Sequence, residues 1–214
     1  MTRRFRWWVL FVGVFVLVAA RIGLVRFWIF GAVAIAFVLY VTSASDPTLM
    51  PERLRPAGPT ADRGALAAIR LFAAIALTIA LLDIGRFHWS DTVPPRLRAP
   101  AMVVFAAGMM LIARAMVTNR FFSTAIRVQS DRGHTVVTSG PYAIVRHPGY
   151  LGMIVVVPAQ ALALGSWYAL VPALLYSLLI ARRASVEDRY LRDHLEGYAA
   201  YAERVRYRIV PGVW

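Results

Sequence analysis

Long apolar runs separated by short polar segments occupy most of the chain up to about residue 181. Six runs stand out, at residues 7–20, 22–41, 64–83, 99–117, 149–164 and 166–181. A helix needs roughly 20 predominantly apolar residues to cross a bilayer, and flanking arginines allow a shorter run to span. The pattern therefore predicts an all-α integral membrane protein with about five to six transmembrane helices.

The last two runs are short and almost contiguous, which predicts a tight helical hairpin over residues 149–181. From residue 182 to residue 206 the chain is charged and amphipathic, with Gly197 as the expected helix break and apolar positions at helical spacing: Leu191, Leu195, Tyr198 and Ala202. This tail predicts an interfacial or docked pair of helices, on the cytoplasmic side, rather than another span.

Residues 1–42 predict an N-terminal transmembrane hairpin that turns at residues 21–26, and residues 43–214 make up the remainder of a single domain. The start of the chain also fits the outline of a cleavable signal peptide, because arginines precede an apolar run that ends in Val18, Ala19 and Ala20. We prefer the uncleaved hairpin because a second apolar run of 20 residues follows at once.

The arginines predict the orientation of these spans. With both termini in the cytoplasm, 17 arginines outside the spans lie on the cytoplasmic side and five on the other, in agreement with the positive-inside rule. The remaining two, Arg70 and Arg114, lie inside spans near their cytoplasmic ends, where they can snorkel. The long polar segment 118–148 and the C-terminal tail are then predicted to share the cytoplasmic face.

Composition narrows the class of protein. The chain of 214 residues is 59% hydrophobic and only 16% charged, which argues against a water-soluble enzyme. All 24 basic residues are arginine and the net charge is +13, but the arginines lie between apolar runs rather than on one solvated face, so we expect no nucleic-acid partner. Without cysteine, and without histidines paired at ligand spacing, we expect no metal site.

The densest chemical signal is the segment 139–152. Pro148 disfavours helical geometry at His147 and suits the first position of the helix that follows. Arg146 and His147 therefore lie at the N-terminus of a helix. There the free backbone N–H groups and the arginine guanidinium favour the binding of an anion. Gly149 and Gly152 leave one strip of that helix without side chains, where a ligand or another helix can approach. The alternative is a helix cap with an arginine at the membrane interface.

A second signal is the acidic pair Glu187 and Asp188, which follows the hydrophobic hairpin on the predicted side of the Arg146–Pro148 segment. These acids could reach back to that segment. The alternative is an ordinary ion pair within one helix, because Glu187 lies four residues after Arg183.

Taken in order, these motifs resemble the isoprenylcysteine carboxyl methyltransferase family and, more loosely, the phospholipid N-methyltransferases. The resemblance covers roughly residues 83–214. One departure is Asp188, where the family usually has a second glutamate. The matching elements are Asn119, Gly140-Pro141-Tyr142, Arg146-His147-Pro148-x-Tyr150-x-Gly152, the hydrophobic hairpin, Glu187-Asp188-x-x-Leu191, Tyr198 and Tyr201.

The resemblance implies a membrane methyltransferase that uses S-adenosylmethionine on its cytoplasmic side, with a lipophilic acceptor such as the carboxylate of an isoprenylcysteine-like or other lipid-like molecule. Arg146, His147 and Glu187 are then the candidate catalytic residues. Arg146, His147 and the helix N-terminus would hold the cofactor's carboxylate, or His147 would contact the adenosine, and Glu187 would accept from the cofactor's ammonium or ribose hydroxyls. Asp188 would support Glu187 or order Arg183. For the acceptor we assign Asn119, Arg120 and Arg183, and we consider Arg127 as well. The cofactor pocket would comprise Tyr142, His147, Pro148, Gly149, Tyr150, Gly152, Glu187 and Asp188.

Two other functions remain open from the sequence. A membrane reductase of the sterol type would use NADPH and has a distantly similar C-terminal hairpin. A non-catalytic membrane scaffold or transporter subunit would need no cofactor. Membrane lipids and the lipophilic acceptor are the expected partners, and the sequence leaves the oligomeric state open.

Overall fold

The computed structural model describes residues 25–54 and 62–214, which form helices and connecting loops without any strand. This confirms the all-α prediction for the described residues. Three single-turn elements, Asp83–Phe87, Ser130–Arg132 and Gly140–Ala143, complete the described secondary structure. The α-helices are α1 (Val25–Ala44), α2 (Leu49–Leu54), α3 (Arg63–Leu82), α4 (Pro95–Thr118), α5 (Pro148–Leu164), α6 (Leu170–His194) and α7 (Tyr198–Arg204).

Three helical stretches within the described residues, Phe27–Ala44, Gly64–Phe87 and Pro95–Thr118, are long and apolar enough to cross a membrane, and α5 is apolar but shorter. Large apolar side chains on several helices are exposed, among them Val103 at 69% and Leu178 at 66%. Such surfaces suit contact with lipid rather than water. The prediction of an all-α membrane protein is confirmed, while the predicted span 7–20 and the possible signal peptide lie outside the described residues.

Helix α5 lies at the centre of the bundle and packs against α4, α6, α3 and α1. Its contact with α4 is close because Gly152 meets Gly108: a Cβ at Gly152 would lie 2.8 Å from the carbonyl oxygen of Gly108 and 2.6 Å from Ile112 Cγ1. Helix α5 ends at Gly165, whose φ of 98° provides the left-handed turn into the hairpin. The predicted hairpin is thus present as α5 and α6.

The boundary predicted at residue 181 is wrong, because α6 continues without interruption to His194. No glycine or proline interrupts residues 182–194, and the side chain of Arg183 is 4% exposed. The predicted break at Gly197 is confirmed: this residue has φ of 79° and separates α6 from α7. The predicted tail helices are therefore the end of α6 and the short α7.

Residues 119–147 and 195–214 meet at one end of the bundle, which we call the polar end. Backbone N–H groups of Arg146 and His147 donate to the carbonyl oxygens of Tyr207 and Arg208, at 3.0 and 2.9 Å. The prediction that the long polar segment and the tail lie together is therefore confirmed, and their location on the cytoplasmic side stays a prediction. The opposite end carries the Asp83–Phe87 turn and the loop between α5 and α6.

Candidate active site

The polar end is organised by a single buried carboxylate, that of Asp188, which is 0% exposed. Arg146 holds it with two contacts, Nε to Oδ1 at 2.7 Å and Nη2 to Oδ2 at 3.1 Å. His147 Nε2 lies 3.2 Å from Oδ1, and the Tyr198 hydroxyl donates to the same oxygen at 3.0 Å. We call Asp188, Arg146, His147 and Tyr198 the Asp188 network.

Electrostatics keep Asp188 ionised. Burial alone would raise the pKa of its carboxyl, but hydrogen bonds from His147 and Arg146, and their charges, hold that pKa well below the ordinary value of 3.8. Burial, together with the neighbouring Asp188 carboxylate, raises the pKa of the Tyr198 hydroxyl well above its usual value. Tyr198 therefore stays protonated and continues to donate.

The structure changes the role expected of Arg146. Its Nη1 donates to the carbonyl oxygens of Val205 and Arg206, both at 2.8 Å, in addition to the two bonds to Asp188. A guanidinium has five N–H donors; four are occupied within the protein, so only one remains and the paired contact to a ligand's carboxylate is not available. Arg146 positions the turn and the C-terminal segment. Asp188 contacts Arg146 and His147 rather than Arg183, so the expectation that it orders Arg183 is corrected.

A second chain of contacts runs through Tyr150. The hydroxyl of Tyr150 donates to Glu187 Oε2 and accepts from Arg183 Nε at 3.1 Å. Arg183 also pairs with Asp62 Oδ2 at 3.0 Å and donates to the carbonyl oxygen of Thr124 at 2.7 Å. The alternative of a simple Arg183–Glu187 pair is thus replaced by a bridge through the Tyr150 hydroxyl.

The loop after α4 is fixed by its own contacts. Arg127, considered for the acceptor, pairs instead with Glu52 at 2.9 Å and with Asp131 at 2.8 Å. The ring of His134 packs on Phe121 with 4.3 Å between centroids, and its Nδ1 accepts the N–H of Gln129 at 3.2 Å. Burial and the nearby Arg127 and Arg132 lower the pKa of His134 to about 4, so His134 is neutral near pH 7.

A cavity of about 340 Å³ opens between this loop, the Asp188 network and helices α3, α5 and α6. This volume lies in the range of small-molecule sites. Its two ends differ in chemistry. Near the polar end the lining includes most of the polar side chains, namely Asn119, Arg127, His134, Tyr142, Arg146, His147, Tyr150, Arg183, Glu187, Tyr198 and Tyr201, together with apolar residues such as Phe121, Phe122, Val136 and Leu191. Among the helices the lining is apolar apart from Arg70 and the hydroxyl of Tyr176, and comprises Leu66, Ile69, Arg70, Ala73, Met153, Tyr176 and Ile180.

Most of the residues predicted from the sequence line this cavity. They are Asn119, Tyr142, Arg146, His147, Gly149, Tyr150, Arg183 and Glu187. The hydroxyl of Tyr142 is 3.4 Å from Asn119 Nδ2, its hydrogen-bond donor, so these two side chains act together at the cavity wall.

Four predicted residues do not line the cavity. Asp188 and Pro148 are buried behind its wall. Gly152 contacts α4, so the space left by its missing side chain admits a helix rather than a cofactor. Arg120 is exposed, with its guanidinium carbon 5.3 Å from the centroid of the Phe121 ring.

Helix α3 also contributes to the cavity, which the motifs in the sequence did not predict. Leu66, Ile69, Arg70 and Ala73 all line the cavity, and their spacing of three and four residues places them on one face of that helix. The same spacing could have identified this face, but apolar periodicity in a membrane helix does not by itself distinguish a cavity wall from a lipid contact.

Comparisons with known proteins agree with the motif-based resemblance. Residues 99–193 match the isoprenylcysteine carboxyl methyltransferase family. The chain is 30% identical over 107 residues to protein-S-isoprenylcysteine O-methyltransferase B of Arabidopsis thaliana, covering 49% of this chain and 54% of that protein. The resemblance stated from the sequence is therefore confirmed for this region.

Two further relatives carry other names. The cobalt-zinc-cadmium resistance protein CzcN of Cupriavidus metallidurans is 31% identical over 136 residues, which is 61% of this chain and 57% of that protein. The Delta(14)-sterol reductase TM7SF2 of Mus musculus is 36% identical over 91 residues, which is 41% of this chain and 22% of that protein. The chain thus spans about half the length of the first two relatives and a smaller part of the reductase.

Proposed function

Because residues 99–193 match the isoprenylcysteine carboxyl methyltransferase family, we propose that this protein transfers a methyl group from S-adenosylmethionine to a lipophilic acceptor. We propose a carboxylate as the acceptor group, because a carboxylate is already ionised near pH 7 and needs no general base. We further propose that the polar end and both termini face the cytoplasm, as the distribution of arginines favours.

The observation that carries the proposal is the two-ended cavity. A polar cofactor and a lipophilic acceptor must meet in one space, and the cavity joins charged side chains at the polar end to apolar side chains of α3, α5 and α6. Glu187 and Tyr176 lie 11 positions apart on α6, which is about 16 Å of helix. The cavity lining therefore extends along about three turns of α6, from the polar end towards the apolar middle of the bundle.

The side chains at the polar end fit a cofactor that carries an ammonium group and a sulfonium. Glu187 is a partly buried carboxylate at the cavity wall, and only its Oε2 has a hydrogen bond within the described residues. Tyr142, Tyr150 and Tyr198 add aromatic faces that favour a nearby cation. Glu187 would accept from the ammonium or a ribose hydroxyl, and His147 would contact the adenosine or the carboxylate.

When bound, the cofactor would supply an electrophilic methyl group to an acceptor's carboxylate oxygen and would leave as a neutral thioether. A carboxylate is already ionised near pH 7, so the protein need not remove a proton. Its work is to align the two reactants and to exclude water. The Asp188 network fixes His147, and the Tyr150 bridge fixes Glu187, so both side chains are held before a ligand arrives.

Calorimetry with S-adenosylhomocysteine, the demethylated cofactor, tests this function on detergent-purified protein. We expect saturable binding by the parent and a Kd at least about tenfold weaker in Glu187→Gln, equivalent to about 1.4 kcal/mol. Glu203→Gln is the matched control, because Glu203 is exposed on α7 and does not line the cavity. A folded parent that does not bind S-adenosylhomocysteine would contradict the proposal.

A second candidate function is reduction of a sterol-like substrate with NADPH. It is favoured by the 36% identity to a Delta(14)-sterol reductase. Titration with NADPH under the same conditions separates the two functions. Binding of NADPH without binding of S-adenosylhomocysteine would favour the reductase, and a protein that binds neither would favour the non-catalytic scaffold.

A further inference from the structure

Arg70 differs from the other arginines of the cavity. Four arginines line it, and three of them are paired with carboxylates: Arg127 with Glu52, Arg146 with Asp188, and Arg183 with Asp62. Arg70 has no hydrogen bond or ion pair to any of the residues that the structure describes. Among the residues that the structure describes, it is the only cavity arginine without a hydrogen bond or an ion pair.

Arg70 is open to a ligand, because it is exposed and lines the cavity. It lies in the apolar stretch Gly64–Phe87, eight positions after Asp62, so its Cα is about 12 Å along the helix axis from the residue that pairs with Arg183. An arginine this close to the end of a membrane-spanning helix can extend its guanidinium towards the interface. Such a residue usually has a polar partner, which the described part of the chain does not provide.

The neighbours of Arg70 indicate what kind of partner fits. Leu66, Ile69 and Ala73 lie on the same face of α3 and also line the cavity. A molecule that pairs with Arg70 must therefore present an anion while it lies against aliphatic side chains. An amphiphile with a carboxylate or phosphate head group and a hydrocarbon tail meets both requirements.

We propose that Arg70 binds the anionic head group of an amphiphile in this cavity and so selects charged acceptors over neutral ones. The proposal rests on the proposed methyl transfer and deepens it by naming the residue that selects the acceptor. Arg70 lies outside residues 99–193, the region that matches the family. The head group is a carboxylate when the amphiphile is the acceptor, and a phosphate when it is a bilayer lipid.

Arg114 provides a matched control. It lies in the apolar stretch Pro95–Thr118, is exposed, and likewise has no pair within the described residues. It does not line the cavity. Arg70→Gln and Arg114→Gln each remove an exposed arginine from a membrane helix. An effect that is seen only in Arg70→Gln therefore reports on the cavity.

The experiment compares the parent, Arg70→Gln and Arg114→Gln in a neutral detergent with saturating S-adenosylhomocysteine. The probes are palmitate, N-acetyl-S-farnesylcysteine and the carboxamide of each. We expect the parent and Arg114→Gln to bind at least one carboxylate about tenfold more tightly than its amide, as the strength of charge-assisted hydrogen bonds implies. In Arg70→Gln this preference disappears while the Kd for S-adenosylhomocysteine is unchanged.

Two outcomes would overturn the assignment: a parent without preference for any anionic probe, or an Arg70→Gln protein that loses S-adenosylhomocysteine binding. Titration with phosphatidylglycerol identifies the source of the anion. If Arg70 governs binding of that lipid and not of the carboxylates, the site binds a lipid phosphate, and the selection of acceptors by Arg70 is contradicted. Failure of the parent to bind S-adenosylhomocysteine at all would instead contradict the proposed function.

Discussion

The protein buries an aspartate at each end of its helical bundle, and the two carboxylates have different partners. Asp188 at the polar end is held by Arg146 and His147, with Nε of Arg192 and Nε of Arg208 each 3.3 Å from its Oδ2. Asp83 at the opposite end is 1% exposed and is held by neutral donors. Its Oδ1 accepts the N–H of Ser90 at 2.8 Å, and its Oδ2 accepts the Ser166 hydroxyl.

The difference in partners corresponds to a difference in what each carboxylate organises. The two serines that bind Asp83 also accept hydrogen bonds from the backbone. Ser90 Oγ accepts the N–H of Trp167 at 3.0 Å, and Ser166 Oγ accepts the N–H of Ala169 at 3.2 Å. Asp83 therefore joins two turns. Asp188 fixes charged side chains at the wall of the cavity, so its loss should affect ligand binding as well as folding.

Asp188→Asn should have the largest effect. Removing one partner of a buried ion pair typically costs about 3–5 kcal/mol, since Arg146 would keep its charge without a counterion. We expect a large fall in unfolding free energy, measured by circular dichroism during denaturation in detergent, together with loss of S-adenosylhomocysteine binding. Tyr198→Phe is the milder companion, because it removes one hydrogen bond to Asp188 and leaves the charges in place. Full retention of stability and binding in both variants would contradict the role of the network.

The pH dependence of stability sharpens the same comparison. Because the pKa of Asp188 is lowered in the folded protein, its contribution is present above the unfolded-state pKa of about 3.9 and is lost as the pH falls through the folded-state value. The difference in unfolding free energy between the parent and Asp188→Asn should therefore be constant from pH 7 to pH 5 and shrink below about pH 4. A difference that instead grew at low pH would contradict this sign.

Asp83→Asn should lower stability by less. It leaves no unpaired cation, so the cost is that of impaired hydrogen bonds to a buried group, about 1–3 kcal/mol. Binding of S-adenosylhomocysteine should be unchanged, because Asp83 does not line the cavity. If the variant lost binding while its stability was unaffected, the division of roles between the two ends would be wrong.

The sequence was informative about the polar end because its motifs are local. Pro148 does begin α5, Gly197 does separate the last two helices, and the Arg146–His147 segment and Asp188 do meet. What the sequence lacked were the long-range partners. Arg183 pairs with Asp62, 121 positions away, and no spacing rule selects that carboxylate over Glu187 four positions away.

The glycine strip shows the same limit in one helix. Spacing indicated that something approaches both Gly149 and Gly152, but not what. The structure places a side chain, that of Phe122, 2.6 Å from a Cβ at Gly149, whereas a Cβ at Gly152 would meet backbone atoms of α4. Gly149 thus borders the cavity, whereas Gly152, one turn further along the same face, allows the close contact with α4.

Gly152→Ala and Gly149→Ala should separate these two roles. At Gly152 the rigid backbone of α4 must shift, and overpacking of this kind costs about 1–3 kcal/mol; stability should fall more than ligand affinity. At Gly149 the ring of Phe122 can rotate, and because Phe122 lines the cavity, affinity for S-adenosylhomocysteine should fall more than stability. Unfolding and calorimetry on both variants test the pair, and the reverse ranking would contradict it.

Tyr150→Phe should give the smallest effect and tests the position of Glu187, the carboxylate that lines the cavity among the residues that the structure describes. The substitution keeps the ring but removes the hydroxyl that donates to Glu187 and accepts from Arg183. A hydrogen bond to a charged group contributes about 1.5–3 kcal/mol, but Glu187 is partly exposed and water can replace the donor. We therefore expect the affinity for S-adenosylhomocysteine to fall about three- to tenfold, or by roughly 0.7–1.4 kcal/mol.

Tyr168→Phe is the control. Its side chain lies at the opposite end of the bundle and is 58% exposed, so this substitution should leave the Kd unchanged. Equal effects of the two substitutions would show that the Tyr150 hydroxyl does not position Glu187.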